Sequence, residues 1–448
     1  MTEFTGINRI GISGYKSIKD ESLEIRPITV LAGANSTGKS SVMQPILLLK
    51  QTLDAGRPRT LLLKGKNVYL SSLEQVRPRF DYDEYPVMSI TVENDNVSAK
   101  SEFSSLENGA AISDEVKLVR SCFVLNPKNN TKEPLCFCET STNEYLQGIM
   151  CETYDQTPSG ANYKAVADRC FYHIVPLPQS ERQLALRGFK PSDKISSDIQ
   201  GIIHLPGLRG NSGRSYESLT FVDHPYYAET FPDYTASLIE HWSKNRESNQ
   251  YQSLIYYLDR LHLAKGISTR RTENSRLEVL VGWHQNRQPS LVNGEKERDM
   301  VNIADVGVGI SQALPILTAL ITSKPKQLVY IDQPDIHLHP FAQRGLVDVI
   351  IDAAMRDVRI VLETHNALFL LALQTAIAEK TCGITSDKVA MYWFSRNDDG
   401  STHIDKADLQ DNGTYGNWPI DFASITFDLQ VKFGRAIEKS WHAEESNL

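Results

Sequence analysis

Two periodicities divide this chain. At 7–12 and 23–25 short apolar stretches are broken by Gly14 and Asp20, as strands are by turns. The run 28–31 is continuously apolar apart from Thr29 and leads straight into a glycine-rich loop. Over 41–53 the apolar residues Val42, Ile46, Leu47, Leu49 and Leu53 fall at helical spacing. From about residue 275 short strand patterns (277–283, 328–332, 358–362, 389–394) alternate with helical ones (309–322, 339–354, 367–377). Pro315 falls within the first turns of the 309–322 helix. Such alternation predicts an α/β fold with a mixed, mainly parallel sheet.

The stretch 60–272 is less orderly. Residues 86–92 alternate up to the turn Glu93-Asn94-Asp95-Asn96. The segments 116–125 and 135–138 flank Asn126-Pro127-Lys128-Asn129-Asn130, which predicts a hairpin. A strand is expected at 199–204 and helices at 234–245 and 250–263. No repeat and no sustained heptad is present. This reads as a large α+β insertion, 96–272, between head segments 1–95 and 273–396, followed by a polar C-terminal module at 397–448.

With 448 residues the chain can hold two or three domains. A net charge of -8 argues against nonspecific coating of nucleic acid, which is driven by Lys and Arg, but leaves room for a local basic groove. Arg209, Arg214, Arg270 and Arg271 are candidates for phosphate or nucleic acid, with a solvated surface role as the simpler reading. No leader pattern and no apolar run of roughly 18 residues is found, so a cytoplasmic protein without membrane contact is expected. For such a chain the scattered Cys122, Cys136, Cys138, Cys151, Cys170 and Cys382 are expected as reduced, buried thiols. Cys136 and Cys138 would share one face of a strand, and without a third ligand at metal spacing they predict core packing.

Gly33-Ala34-Asn35-Ser36-Thr37-Gly38-Lys39-Ser40 fits G-x-x-x-x-G-K-[ST], and strand, loop, helix is the context that this phosphate loop requires. Its glycines let backbone N–H groups curl around phosphate oxygens, with Gly33, Asn35, Ser36, Thr37, Gly38, Lys39, Ser40 and Ser41 as contacts. Lys39 would reach the β- and γ-phosphates, and Ser40 would ligate Mg²⁺. ATP and Mg²⁺ are thus the expected cofactors. A carboxylate at the end of a buried strand completes such a site, and Asp332, after Leu328-Val329-Tyr330-Ile331, supplies it. His365 follows the next strand. Gly307, Gly309 and Ser311 lie in a glycine–serine loop feeding a helix, a second anion-binding pattern. His337 and His339 are read as part of the loop after Asp332 rather than as zinc ligands. Tyr15 and Lys16, after the first strand, are expected near the nucleotide.

With these residues in place, the chain resembles the bacterial ABC-type ATPases related to the overcoming-lysogenization-defect, RecF and SMC proteins. The matching stretches are GYKSIKD, GANSTGKSS, DVGVGISQALP, YIDQPDIHLHP and LETHNALFLL. His204 to Gly210, with Arg214 and Tyr216, resembles a PLR-type segment of one branch. Asn412-Gly413, Asn417-Trp418-Pro419 and Phe422 resemble its C-terminal module. Standalone heads of this size resemble the ATPases of antiphage defence, those of Septu systems (PtuA-type) first and of PARIS systems next. The resemblance implies an ABC-type head and assigns His365 as the γ-phosphate switch histidine. It implies homo-oligomers, dimeric or built from dimers, in which the 307–311 loop of one subunit closes on ATP held by another. It also implies a separate nuclease effector, such as an HNH protein, with any DNA contact made through the complex. The alternative is a RecF/SMC-like repair ATPase that clamps DNA directly.

Two departures stand out. Only ~80 residues follow His365, too few for a Toprim nuclease domain. At Gln333 the family pattern has a glutamate that polarises the attacking water. Glutamine orients a water but takes no proton at neutral pH. Slow hydrolysis is therefore expected, with Asp335 a less suitable base and better suited to capping.

Overall fold

The computed structural model describes residues 3–56, 59–78, 87–108, 111–129, 133–154, 161–177, 187–209, 213–219, 226–227, 230–272, 276–283, 300–416 and 431–435. In chain order the first strands are β1 (Arg9–Tyr15), β2 (Ile18–Glu24) and β3 (Ile28–Gly33), followed by helix α1 (Lys39–Asp54). Then come β4 (Met88–Glu93), β5 (Val97–Asn108), β6 (Ala111–Leu125) and β7 (Leu135–Phe137). Helix α2 (Asn143–Thr153), the hairpin β8 (Asn162–Asp168) with β9 (Phe171–Leu177), helix α3 (Asp193–Gln200) and strand β10 (Ile203–Leu205) follow.

The second half carries α4 (Thr235–Lys244), α5 (Asn249–Arg260), β11 (Gly266–Arg271), β12 (Leu277–Gly282) and β13 (Val301–Asn302). It continues with α6 (Val308–Thr322), β14 (Leu328–Asp332), α7 (Pro340–Met355) and β15 (Arg359–Thr364). Helix α8 (Ala367–Ala378), β16 (Val389–Arg396) and β17 (Thr402–Lys406) follow.

Two six-stranded sheets organise the molecule. One runs β2-β1-β4-β5-β6-β7 and is antiparallel throughout. The other runs β10-β14-β15-β3-β16-β17 and is parallel except for its last pair. The mixed, mainly parallel α/β sheet expected from the alternation is thus present.

Strand β3 is buried along its whole length, and its two-residue period divides it between two cores. Ile28, Val30 and Ala32 join Ile310, Leu346, Ile350 and Phe369 on the face covered by α6, α7 and α8. Leu31 joins Val42, Ile46 and Leu49 of α1, with Ile10, Ile90 and Phe103 of the antiparallel sheet. Helix α1 therefore lies in the core between the two sheets. Each fully buried aliphatic side chain of this kind contributes about 1.5–3 kcal/mol.

Several sequence expectations are revised. The division at 95/96 cuts the β4–β5 hairpin, and β10 joins the parallel sheet beside β14, so the 96–272 stretch is woven into both sheets. The division at 396/397 cuts the β16–β17 hairpin. The strand expected at 199–204 begins only at Ile203, because Ile195 and Ile199, four apart, continue the buried stripe of α3 up to Gly201.

The cysteine reading changes most. Cys122 and Cys136 face each other across the β6–β7 pair and form a disulfide, so not every thiol is reduced, and Cys151 and Cys382 are exposed rather than buried. Nor do Cys136 and Cys138 lie on the core face: both are half-buried, while Phe137 between them is fully buried against Phe123. The tail motif at Asn417-Trp418-Pro419 and Phe422 lies outside the described residues.

Candidate nucleotide site

The loop 33–40 joins the C-terminal end of β3 to the N-terminus of α1, where the helix's unpaired N–H groups favour an anion. Its carbonyls are drawn back into the protein. Lys39 Nζ donates to Gly33 O at 2.9 Å and to Ala34 O at 2.6 Å, and Thr37 Oγ1 donates to Ala34 O at 2.9 Å. Arg396 Nε and Nη2 donate to Ser36 O at 3.0 and 2.7 Å, and Thr402 Oγ1 donates to Thr37 O at 2.9 Å. In a trans peptide N–H and C=O point oppositely, so engaging these carbonyls turns the following amide hydrogens outward, an orientation that suits an anion.

The two glycines are needed for different reasons. Gly33 has φ 146°, and a Cβ there would lie 2.4 Å from the Phe394 carbonyl oxygen of the neighbouring β16. Gly38 has φ 106°, and a Cβ would lie 2.4 Å from Thr402 Oγ1. We expect Gly33→Ala to push β3 from β16 and to lower ATP affinity by about tenfold or more, about 1.4 kcal/mol or greater. Equilibrium titration with a fluorescent ATP analogue checks this.

Asp332 ends β14, beside Glu363 of β15 in parallel register. Glu363 is almost wholly buried. Its Oε2 accepts from Ser40 Oγ at 2.9 Å, and its Oε1 accepts from the Tyr330 hydroxyl. Burial first, and the Asp332 carboxylate next, push Glu363 upward. Burial likewise raises Asp332, against the pull of Arg209, the Gly207 N–H and Lys39. Burial lowers Lys39, while Glu363 and Asp332 oppose that. Ser40 is thus bound to Glu363, and Asp332 lies beside Glu363 in register, so the loop and the strand end meet at a carboxylate that sequence reasoning missed.

Arg209, a phosphate or solvated-surface candidate in the sequence, has a different place here. It is buried, and its guanidinium donates to Pro206 O at 3.1 Å, to Gln333 O at 2.8 Å and to Asp332 O, with Gln312 O at 3.4 Å. Burial lowers it to about 10, so it remains a cation at neutral pH. A surface phosphate contact is therefore not its role. Arg214, Arg270 and Arg271 pair on the surface with Asp305, Glu278 and Glu240.

Gln333 adopts a left-handed φ of 46°, fixed by its N–H on Glu363 O at 3.0 Å and its carbonyl under Arg209. Asp335 is committed elsewhere: its carboxylate accepts from Thr364 Oγ1 at 2.9 Å and Asn366 Nδ2 at 3.0 Å. That leaves it a clamp between the loops after β14 and β15. His365 is exposed between these clamped residues. His339 caps α7, its Nδ1 accepting from Phe341 N.

In the second glycine loop, Gly307 is exposed and Gly309 packs against the His337 carbonyl. Ser311 is buried with its hydroxyl donating to Val308 O at 2.8 Å, so its side chain does not face outward, whereas Gly307 and Val308 are exposed. On the other side of the phosphate loop, a cavity of about 590 Å³ is lined by Lys16, Ser17, Ser41, Arg77, Arg396 and Asp399. Lys16 Nζ donates to Gln44 Oε1 at 2.6 Å, beside the buried Tyr15.

The family profile described as "AAA ATPase domain" matches residues 6–272, more than half of the chain. The chain belongs to this AAA ATPase family. A second profile, "AAA domain, putative AbiEii toxin, Type IV TA system", matches residues 229–372 of this AAA ATPase. No curated protein matches it. Among solved structures, the SMC head domain from Thermotoga maritima aligns at 10% identity over 90% of this chain and 100% of that one, with a TM-score of 0.39. An SMC head bound to the C-terminal winged-helix domain of ScpA aligns at 12% identity over 90% and 98%, with a TM-score of 0.43. A Pyrococcus furiosus SMC head with an extended coiled coil, bound to the C-terminal domain of ScpA, aligns at 11% identity over 90% and 96%, with a TM-score of 0.42. Likeness at this level carries no argument about ligands or partners. No helix among the described residues is long and apolar enough to cross a membrane.

Proposed function

We propose that this AAA ATPase binds ATP–Mg²⁺ at 33–41, oligomerises around the nucleotide, and gates a separate nuclease effector of an antiphage defence complex. The observation that carries the nucleotide reading is the loop whose carbonyls are tied back by Lys39, Thr37, Arg396 and Thr402. The donor set fits Mg²⁺: the Ser40 hydroxyl and the Asp332 carboxylate are hard oxygen ligands, and Glu363, the register partner of Asp332, accepts from Ser40. Bound Mg²⁺ would neutralise charge on the β- and γ-phosphates, while Lys39 leaves its carbonyls to reach the phosphate. Asn35 and Ser36 are exposed in the loop and open to a ligand. The Lys16–Ser41 cavity is of a size suited to a small ligand and would take the nucleoside.

The oligomeric part rests on exposure. His365, Gly307 and Val308 lie at the surface, available to a second copy. The effector is proposed from the resemblance to defence ATPases. Stable co-purification of this chain with an HNH protein, and no DNA cleavage without it, would support that part. Cleavage by this chain alone would overturn it.

Gln333 sets the expected rate. Its amide orients water without taking a proton, so turnover should stay below about 1 s⁻¹, against ~10 s⁻¹ for a typical enzyme. Gln333→Glu is expected to raise steady-state hydrolysis by about 10- to 100-fold in a phosphate-release assay. An unchanged rate would show that another step is limiting.

A further inference from the structure

Resting on the ATP–Mg²⁺ reading, we propose that Glu363 is the positioning residue of the cation site, acting through the hydroxyl of Ser40. Ser40 has one hydroxyl hydrogen, and it is donated to Glu363 Oε2 at 2.9 Å. With that hydrogen committed, both lone pairs of Oγ stay free, and a lone pair on a hard oxygen is what Mg²⁺ takes. The acceptor itself cannot swing away. Its other oxygen accepts from the Tyr330 hydroxyl, and its side chain is closed off from solvent. Its backbone is fixed as well, since β15 is sandwiched between β14 and β3 and the Glu363 carbonyl accepts from Gln333 N.

Register explains the division of labour. Asp332 and Glu363 are partners on adjacent parallel strands, and Tyr330 shares a face of β14 with Asp332, two residues away. One carboxylate is thus left to face the cation while its neighbour holds the serine. A carboxylate buried only for packing would have no need of Ser40. A freely titrating surface acid would have no need of Tyr330.

The test is equilibrium binding of a fluorescent ATP analogue to the full chain, with Mg²⁺ and with EDTA. In Glu363→Gln the amide competes for a Ser40 lone pair, and the gain in affinity from Mg²⁺ should fall about 10- to 100-fold. Affinity in EDTA should stay within about twofold of the native chain, a level at which free energy shifts by less than about 0.5 kcal/mol. Ser40→Ala should lose the same Mg²⁺ enhancement, and the double variant should lose no more than either single one. If Glu363→Gln does not fold, Glu363→Asp keeps the charge but withdraws the acceptor, and the same loss is expected.

Native Mg²⁺ enhancement in the folded Glu363 variant, equal losses with and without Mg²⁺, or additive losses would each overturn the proposal. A native chain that binds no ATP, or binds it without Mg²⁺ enhancement, would instead overturn the reading on which the proposal rests.

Discussion

Lys39→Ala is expected to weaken ATP binding by at least about 100-fold, or about 2.7 kcal/mol, while leaving the melting temperature within a few degrees of native. Lys39 sits at the first turn of α1, and its ammonium donates only to loop carbonyls, those of Gly33 and Ala34. Those bonds are exchanged for phosphate oxygens when nucleotide arrives, and a charge-assisted bond to phosphate is roughly twice as strong as a neutral one. Alanine is a better helix former than lysine is, so α1 itself should not suffer. Isothermal titration with Mg²⁺ checks the affinity, and calorimetric melting checks the fold. Unchanged affinity would show that the loop does not hold the phosphates.

Arg209→Ala is expected to act on stability instead, by about 3–5 kcal/mol in urea unfolding. The side chain carries a buried cation that ties the carbonyls of Pro206, Asp332, Gln333 and Gln312 into one cluster. Removing it leaves those acceptors without their donor and frees Gln333 from its left-handed backbone. Arg209→Lys should recover little, because a point ammonium cannot serve carbonyls fanned around a planar guanidinium. A loss under about 1 kcal/mol would mean that water replaces the guanidinium freely.

These two residues mark how much of the site was legible in the sequence. Lys39 was readable because the phosphate loop is local: strand, glycines, lysine and helix lie within a few turns of chain. Asp332 was readable for the same reason, at the end of an apolar strand. Glu363 also ends an apolar strand, but its meaning depends on β15 lying between β14 and β3, a sheet order that no local pattern encodes. Arg209 belongs to a loop after a three-residue strand in the least regular part of the chain, and only the β10–β14 pairing brings it under Gln333.

The same limit explains the misplaced boundaries and the disulfide. The hairpin joining 116–125 to 135–138 was evident from its turn residues, but its register, which sets Cys122 opposite Cys136, was not. Residues after 396 read as a polar tail, yet Thr402 packs under the phosphate loop through Ser17 and Thr37. Short strands with polar sequences carry little periodicity, and tertiary contacts decide them.

In the proposed function one ATP–Mg²⁺ sits between the 33–41 loop and Asp332. The most direct measurement is a crystal structure of the chain grown with Mg²⁺ and a non-hydrolysable ATP analogue. The expected map shows β- and γ-phosphates on the amides of 34–40, Lys39 turned from its carbonyls to the phosphates, and a metal about 2.1 Å from Ser40 Oγ. Nucleotide bound elsewhere, or phosphates at the loop with the cation away from both Ser40 and Asp332, would contradict it.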